Sequence, residues 1–316
     1  MRHHSAAAIS LGDRLKQTAR NHGLDVNTYA SRHVADRVTH LLSTALSVPF
    51  VVGGGLLFAQ NVRETADADL VSVRRVTNAE FHRAMILIRP ALAAEGITLH
   101  AVSDTPRVIE LDGGKETDRW TLTASAGTLR GNTRVDCSSA NGPDAFPQDV
   151  AWKEIPSLMK GGAVTRIRCQ PLAAAAAEKF LAVILQPGTD YRVKHLADLV
   201  NSDLWEGVDC QSVAREIART CRHRRIPAGI VVERPPTLTW TAMAPRDRAW
   251  QKQIDAGKTD MTFDQAWIDI NGLWSDVHAE LRLMPASEFH RPPFRPSLVE
   301  RVMASTRPSA PTYNPF

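Results

Sequence analysis

Residues 51–71 read VVGGGLLFAQNVRETADADLV: Gly53, Gly54 and Gly55 close an apolar run, and Asp67 and Asp69 follow with one alanine between them. On a strand, residues i and i+2 point to the same face. The two carboxylates would then lie side by side, on the face shared with Val71 and Val73. Carboxylates that close repel each other unless a cation lies between them. Hard oxygen ligands suit Mg²⁺, which keeps several waters and commonly binds substrate phosphates as well. In a two-metal arrangement such a centre activates an attacking oxygen and stabilises the leaving one. The glycines add the complementary half. A turn without side chains lets backbone N–H groups approach phosphate oxygens, and a strand running into a helical turn aims a helix N-terminus at the same anion. No Gly-Lys-Ser/Thr follows, so this is not a Walker A loop, and the spacing is not a dinucleotide fingerprint. Alone, a glycine triplet is more often just a turn, and an Asp-x-Asp more often a solvated strand end. Together, on a strand–turn–helix–strand frame, they read as a phosphate cradle beside a metal-binding strand.

The elements that must carry these residues can be read from periodicity and turn chemistry. Two helices fill residues 11–46, the first stopping at Gly23 and the second with apolar positions Val34, Val38, Leu41, Leu42 and Ala45 at helical spacing. SVPFVV is a short strand ending at the glycines, LLFAQN reads as a helical turn or two, and DADLVSV as a strand. Thr77 and Glu80 form a capping box for a helix from Ala79 to about Ala94, which Pro90 would kink. GITLHAV, RVIELDGG, DRWTLTA and NTRVDCS then read as successive strands, residues 138–149 as a loop, and TRIRC as one more strand. After Cys169 the character changes. LAAAAAEKFLAVIL is strongly helical and ends at Pro187-Gly188, with further helices at roughly 192–202, 209–223, 262–283 and 296–305 and a Pro-rich tail. The expectation is an α+β first part, residues 1–169, followed by a mainly helical lobe, residues 170–316.

The chain has 316 residues, enough for one large domain or two medium ones, and its 43% hydrophobic and 23% charged content is that of an ordinary globular protein. A net charge of +4 is compatible with a polyanionic partner without requiring one. Four scattered cysteines with no CxxC argue against a zinc site and against a disulfide framework. No apolar run is long enough to cross a bilayer and MRHHSAAAISLGDR lacks a signal-peptide layout, so a cytoplasmic protein with no membrane role is expected. The basic run RTCRHRR at 219–225 fits either a complement to a helix dipole or a contact to RNA phosphates. Trp240, Trp250, Trp267 and Trp274 could stack on bases, although the seven-residue spacing of the last two suits a core helix.

An apolar residue, Gly-Gly/Ser, about ten spacers and Asp-x-Asp resembles the signature of the DNA polymerase β-like nucleotidyltransferases. RLKQTARNHGLDVNTYASRHVADRVTHLL before FVVGGGLLF, AAEKFLAVIL, and TDYRVKHLADLV narrow the likeness to the AbiEii-type nucleotidyltransferase toxins, over about residues 10–200. The resemblance implies a polymerase β-like domain with a mixed sheet, Mg²⁺ as cofactor and an NTP as substrate. It implies that Gly53, Gly54 and Gly55 contact the triphosphate, that Asp67 and Asp69 hold Mg²⁺, that Lys179 reaches the triphosphate, and that Asp198 is the acidic residue of the second half. Asp136, in TRVDCS, is the candidate for the third aspartate such folds place on a later strand. Without the resemblance, Lys179 reads as a solvated lysine, Asp198 as a surface partner of Lys194, and Asp136 as a turn residue. Two departures stand out: Gly55 occupies a position where the family usually has Ser or Thr, and His195 one where it usually has Asp. The implied function is transfer of NMP to an RNA acceptor, the 3′ end of tRNA, by the toxin of a toxin–antitoxin or phage-defence abortive-infection system with a cognate antitoxin. A small-molecule hydroxyl acceptor, or a non-catalytic NTP- or RNA-binding role, is the alternative.

Overall fold

A computed structural model of the chain describes residues 6–21, 25–57, 67–111, 115–140, 146–147, 150–155, 157, 159, 164–185, 192–233, 238, 244–255 and 259–290. The elements run α1 (Ala6–Asn21), α2 (Val26–Ala45), β1 (Phe50–Gly53), a single 3₁₀ turn (Gly54–Leu57), β2 (Asp67–Ser72), α3 (Asn78–Ala94), β3 (Ile97–Val102), β4 (Arg107–Leu111), β5 (Lys115–Ala126), β6 (Leu129–Arg130), β7 (Thr133–Ser139), β8 (Ala151–Ile155) and β9 (Thr165–Cys169). The helical part follows as α4 (Leu172–Leu185), α5 (Val193–Leu199), α6 (Cys210–Arg224), α7 (Gly229–Val232), α8 (Ala244–Asp255) and α9 (Phe263–Leu283). The fold is thus the expected mixed α/β arrangement, with a mixed sheet first and helices after it.

Among the described residues one sheet of nine strands has the order β3-β5-β7-β2-β1-β9-β8, with β4 and β6 also pairing with the long β5. Strand β2 runs antiparallel to β1 and parallel to β7, and β1 runs parallel to β9. Alternation along β2 decides which face is which. Ala68, Leu70 and Ser72 are buried, whereas Asp67, Asp69 and Val71 are only half-buried on the opposite face. Helix α2 packs against β2, β5, β7 and β9, and its Arg37 forks onto Glu95 at 2.6 and 2.7 Å while bonding Thr165 Oγ1 on β9 at 3.1 Å. The carboxylate face is thereby left for the helical part to meet.

Local signals explain most boundaries. Asp25 caps α2 by accepting from the Thr28 amide at 2.8 Å. The Thr77–Glu80 capping box of α3 is present in both directions, and α3 continues through Pro90 to Ala94 rather than ending there. The stop at Gly23, the turn at Pro187-Gly188, the helix at 296–305, the tail and Trp240 lie outside the described residues. Four elements escape the sequence reading: β6, β8, α7 and α8. AWKEI has only five residues and lies on the sheet edge, and Trp152 is half-exposed with the Arg166 and Arg168 guanidinium carbons 5.3 and 5.2 Å from its ring centre, so apolar alternation is weak there.

The helical part has its own core. Phe180 of α4 packs on Trp274 of α9 with ring centres 5.5 Å apart, and both are fully buried. Trp250 is buried edge-on against Phe263, and Trp267 stacks on Phe263 at 5.9 Å. These three tryptophans are core or rim packing, which corrects the base-stacking reading. No helix of the described residues is long and apolar enough to cross a membrane.

Candidate active site

The strand register assembles the site. Gly53 of β1 pairs with Asp69 of β2, Asp69 with Asp136 of β7, and Asp136 with Arg119 of β5. Four neighbouring strands therefore present Gly53, Asp69, Asp136 and Arg119 in one row on one face. Asp67 lies two positions along β2 on the same face. Asp136 is a mid-strand residue rather than a turn residue.

The glycines meet this row closely. Gly54 has φ +64°, a left-handed backbone that side chains disfavour, and a Cβ there would stand 1.7 Å from Oδ2 of Asp69. The turn thus rests directly on the carboxylate. A Cβ on Gly53 would come within 2.7 Å of Oε1 of Gln170, a buried residue just after β9 that the sequence reading passes over. Gly55 is buried inside the 3₁₀ turn and is not among the residues lining the cavity.

That cavity, about 420 Å³, lies between the carboxylate face and the helical part. Its floor includes Gly53, Gly54, Asp67, Asp69, Thr117, Arg119, Asp136 and Ser138. Its wall includes Ala175, Glu178, Lys179, Ala182 and Leu185, one stripe of α4 at helical spacing, with Arg192, Lys194, His195 and Arg224 beyond. The alanine run explains this placement. Ala173 to Ala177 are helix formers with little bulk, all buried, and they allow α4 to pack close against α5 and α6.

Lys179 and Asp198 pair at 2.6 Å, both nearly buried. The solvated-lysine reading and the Lys194–Asp198 surface pair are thereby replaced. Lys179 lines the cavity and Asp198 lies behind it, outside the lining, so Asp198 acts on the cavity through the lysine. Arg192 is also buried, and burial pulls it down to about 10, which leaves it charged at neutral pH. Its Nη1 lies 3.3 Å from Nε2 of His195. Arginine can only donate, so Nε2 accepts and the imidazole carries its proton on Nδ1. His195 thus serves as a neutral acceptor for Arg192.

Three arginines of the basic run at 219–225 are paired within the protein. Arg219 pairs with Glu216 at 2.9 Å, Arg222 with Glu288 at 3.7 Å, and Arg224 with Glu178. Only Arg224 of the run lines the cavity, so the helix-end reading holds for most of it.

On the floor, burial pushes the Asp67 carboxyl above its usual range. Arg134 at 3.9 Å opposes this and Asp136 reinforces it. Arg119 grips both oxygens of Asp136, Nε at 2.7 Å and Nη2 at 2.5 Å. Three aspartates on adjacent, register-matched strands are the donor types a divalent cation takes. Among the described residues, however, no three acidic, His or Cys side chains converge as a ready metal-holding group, and Asp136 is paired with Arg119. Sequence reasoning missed Arg119 and Gln170, and it took in Arg192 and Arg224 only as members of longer runs, with no place at the site. Pairing across strands and helices is what brings all four in.

A mixed sheet presenting a glycine turn and Asp-x-Asp, closed by a lysine-bearing helix, defines a nucleotidyltransferase-type site. The profile of the family described as "Nucleotidyl transferase AbiEii toxin, Type IV TA system" matches residues 40–269, and the chain belongs to that family of nucleotidyltransferases from type IV toxin–antitoxin systems. No curated protein matches at the sequence level. Among solved structures, it is similar to MenT4, a nucleotidyltransferase toxin from Mycobacterium tuberculosis (16% identity, 87% of this chain and 91% of that one, TM-score 0.49). A putative nucleotidyltransferase from H. pylori is 13% identical over 88% of this chain and 97% of its own (TM-score 0.36). JHP933 from Helicobacter pylori is 12% identical over 88% and 95% (TM-score 0.37).

Proposed function

We propose that the protein catalyses attack of an acceptor hydroxyl on the α-phosphate of an NTP, with release of pyrophosphate, in the cavity between the aspartate row and the Lys179–Asp198 pair. The observation that carries this reading is the division of charge across the cavity. Asp67, Asp69 and Asp136 stand on the sheet side, where Arg119 offsets one of them, and Lys179, Arg192, Lys194 and Arg224 on the helical side, where Glu178 offsets one. A triphosphate with its counter-cation has the same division. The backbone at Gly53 and Gly54 receives the triphosphate, with Gly55 supporting the turn from behind. Lys179 donates to a phosphate oxygen, and Asp198 positions it. Asp67 and Asp69, joined by Asp136, would hold Mg²⁺, which when bound supplies a lowered pKa at the acceptor hydroxyl and charge neutralisation at the phosphate. Residues 1–169 form the nucleotidyltransferase domain in this reading, and residues 170–316 the lobe that completes its site.

The acceptor is RNA, the 3′ end of tRNA, and its modification blocks translation. A polyanionic acceptor is supported by Arg107 of β4, which pairs in register with Arg119, and by Arg134 beside Asp136: both are exposed on the site's face of the sheet. Phosphate contacts of this kind supply affinity without reading sequence. The protein acts in the cytoplasm, in phage defence, and a cognate antitoxin restrains it.

The test is incubation of the protein with Mg²⁺, each NTP labelled at its α-phosphate, and total tRNA, beside Asp69→Ala. Label is expected on tRNA with one NTP and absent in the variant. Pyrophosphate release only with a small hydroxyl acceptor would move the substrate to that class. NTP binding with no pyrophosphate release under any condition would leave a binding protein.

A further inference from the structure

The third carboxylate of the row already has a cation. Arg119 and Asp136 face each other across paired strands, and the guanidinium fork meets both carboxylate oxygens at 2.7 and 2.5 Å. This is the bidentate geometry that makes such pairs strong. The pair is largely withdrawn from water, with the Asp136 side chain 12% exposed and that of Arg119 27%. Asp67 and Asp69 also add to the field that holds the guanidinium charged. A divalent cation that needs Asp136 must therefore take it from a well-made pair, whereas Asp67 and Asp69 lie beside that pair on the same face. A nucleotide changes the balance. Its phosphate oxygens supply cation ligands that the protein lacks, and they offer the displaced guanidinium, which lines the same cavity, a second anion to bind.

We infer that Arg119 is a placeholder cation on Asp136, which keeps the site's affinity for divalent metal low until a triphosphate arrives and then transfers to a phosphate oxygen, so that metal and nucleotide bind as a coupled pair. The inference rests on the metal reading of Asp67, Asp69 and Asp136 given above. Arg119 is then a positioning residue of the resting site and a phosphate contact of the loaded one. The consequence is a protein that does not bind metal on its own in a way that would order the site for other anions.

Binding of Mn²⁺ to the full chain, followed by electron paramagnetic resonance with and without a non-reacting α,β-methylene NTP, tests it in wild type, Arg119→Gln, Arg119→Lys and Asp69→Asn. Wild type is expected to bind Mn²⁺ weakly alone and far more tightly with nucleotide. Arg119→Gln should bind Mn²⁺ alone about ten-fold more tightly than wild type, and its nucleotide coupling should fall by a similar factor, a size usual for coupling between sites. Arg119→Lys, with its charge kept and its fork lost, should fall between, and it serves if the glutamine variant does not fold. Equal or weaker Mn²⁺ binding in both Arg119 variants, with Asp69→Asn still abolishing it, overturns the placeholder role and leaves the metal site standing. No Mn²⁺ binding in any protein, with or without nucleotide, overturns the metal reading and the inference with it.

Discussion

Lys179 and Asp198 are a buried ion pair, and their contributions to stability and to chemistry can be separated. Removing one partner leaves a desolvated charge without compensation, a cost of about 3–5 kcal/mol, whereas replacing both with apolar groups of similar size is close to neutral. Lys179→Met is therefore expected to lower Tm strongly, and Lys179→Met with Asp198→Leu to regain most of the loss while nucleotidyl transfer stays abolished. Calorimetry beside label transfer reads both. A double variant that regains activity would show the pair to be structural alone. Little in the sequence distinguishes Lys179 from any other lysine on an alanine-rich helix. Its burial depends on α5 folding back to place Asp198, nineteen positions on, 2.6 Å away, and the composition between them cannot announce that. The aspartates are different. Their alternation along β2 is written into three consecutive residues, and only their partner across β7 had to come from the fold.

Among the elements, α3 was the most legible, because its start is set by a local exchange of hydrogen bonds. Glu80 accepts from the Thr77 amide at 3.0 Å and also takes the Arg74 guanidinium at 2.6 Å. Arg74 foremost, with the Thr77 bonds after it, holds the Glu80 carboxyl down to about 2 from its ordinary 4.5. A depressed carboxylate contributes stability above its unfolded pKa and loses it as pH falls through the folded value. Glu80→Gln keeps a capping acceptor and loses the charge. It should be destabilised by about 0.5–1 kcal/mol near neutrality, the usual size for a solvent-screened pair, and the deficit should vanish as pH falls from 4.5 towards 2. Urea unfolding at a series of pH values measures it, and a deficit that persists at the acid end would assign the effect to lost capping. Strand β8 shows the opposite limit: short and at the sheet edge, its assignment rests on pairing with β9 and not on its own pattern.

At the scale of the molecule, the cavity belongs to neither part alone. Carboxylates from β2 and β7 face cations from α4, α5 and α6. A ligand that bridges them should stabilise the whole chain, by about 2.7 kcal/mol at a hundred times its dissociation constant. NTP with Mg²⁺ is accordingly expected to raise Tm. Lys194→Ala, at an exposed position of the cavity wall, should reduce that rise while leaving the stability of the unliganded protein within about 0.5 kcal/mol of wild type, as for surface substitutions generally. Raising the salt concentration should shrink the ligand shift too, because exposed charges are screened. An unchanged shift in Lys194→Ala would remove the helical wall from nucleotide binding.

The sequence by itself determined what is local. The strand–glycine turn–strand unit with its two aspartates, the capped helices, the alanine-rich α4 and the passage from sheet to helices all follow from propensity, periodicity and turn chemistry acting over a few residues. Tertiary structure decided which charges meet. It set Arg119 on Asp136, Lys179 on Asp198, Gln170 behind Gly53 and Arg224 on Glu178, and it committed the tryptophans of α8 and α9 to packing. The physical reason is range. Backbone and capping preferences act between neighbours in the chain, whereas a hydrogen bond between side chains far apart in sequence exists only once strand register and helix packing have brought both to within about 3 Å.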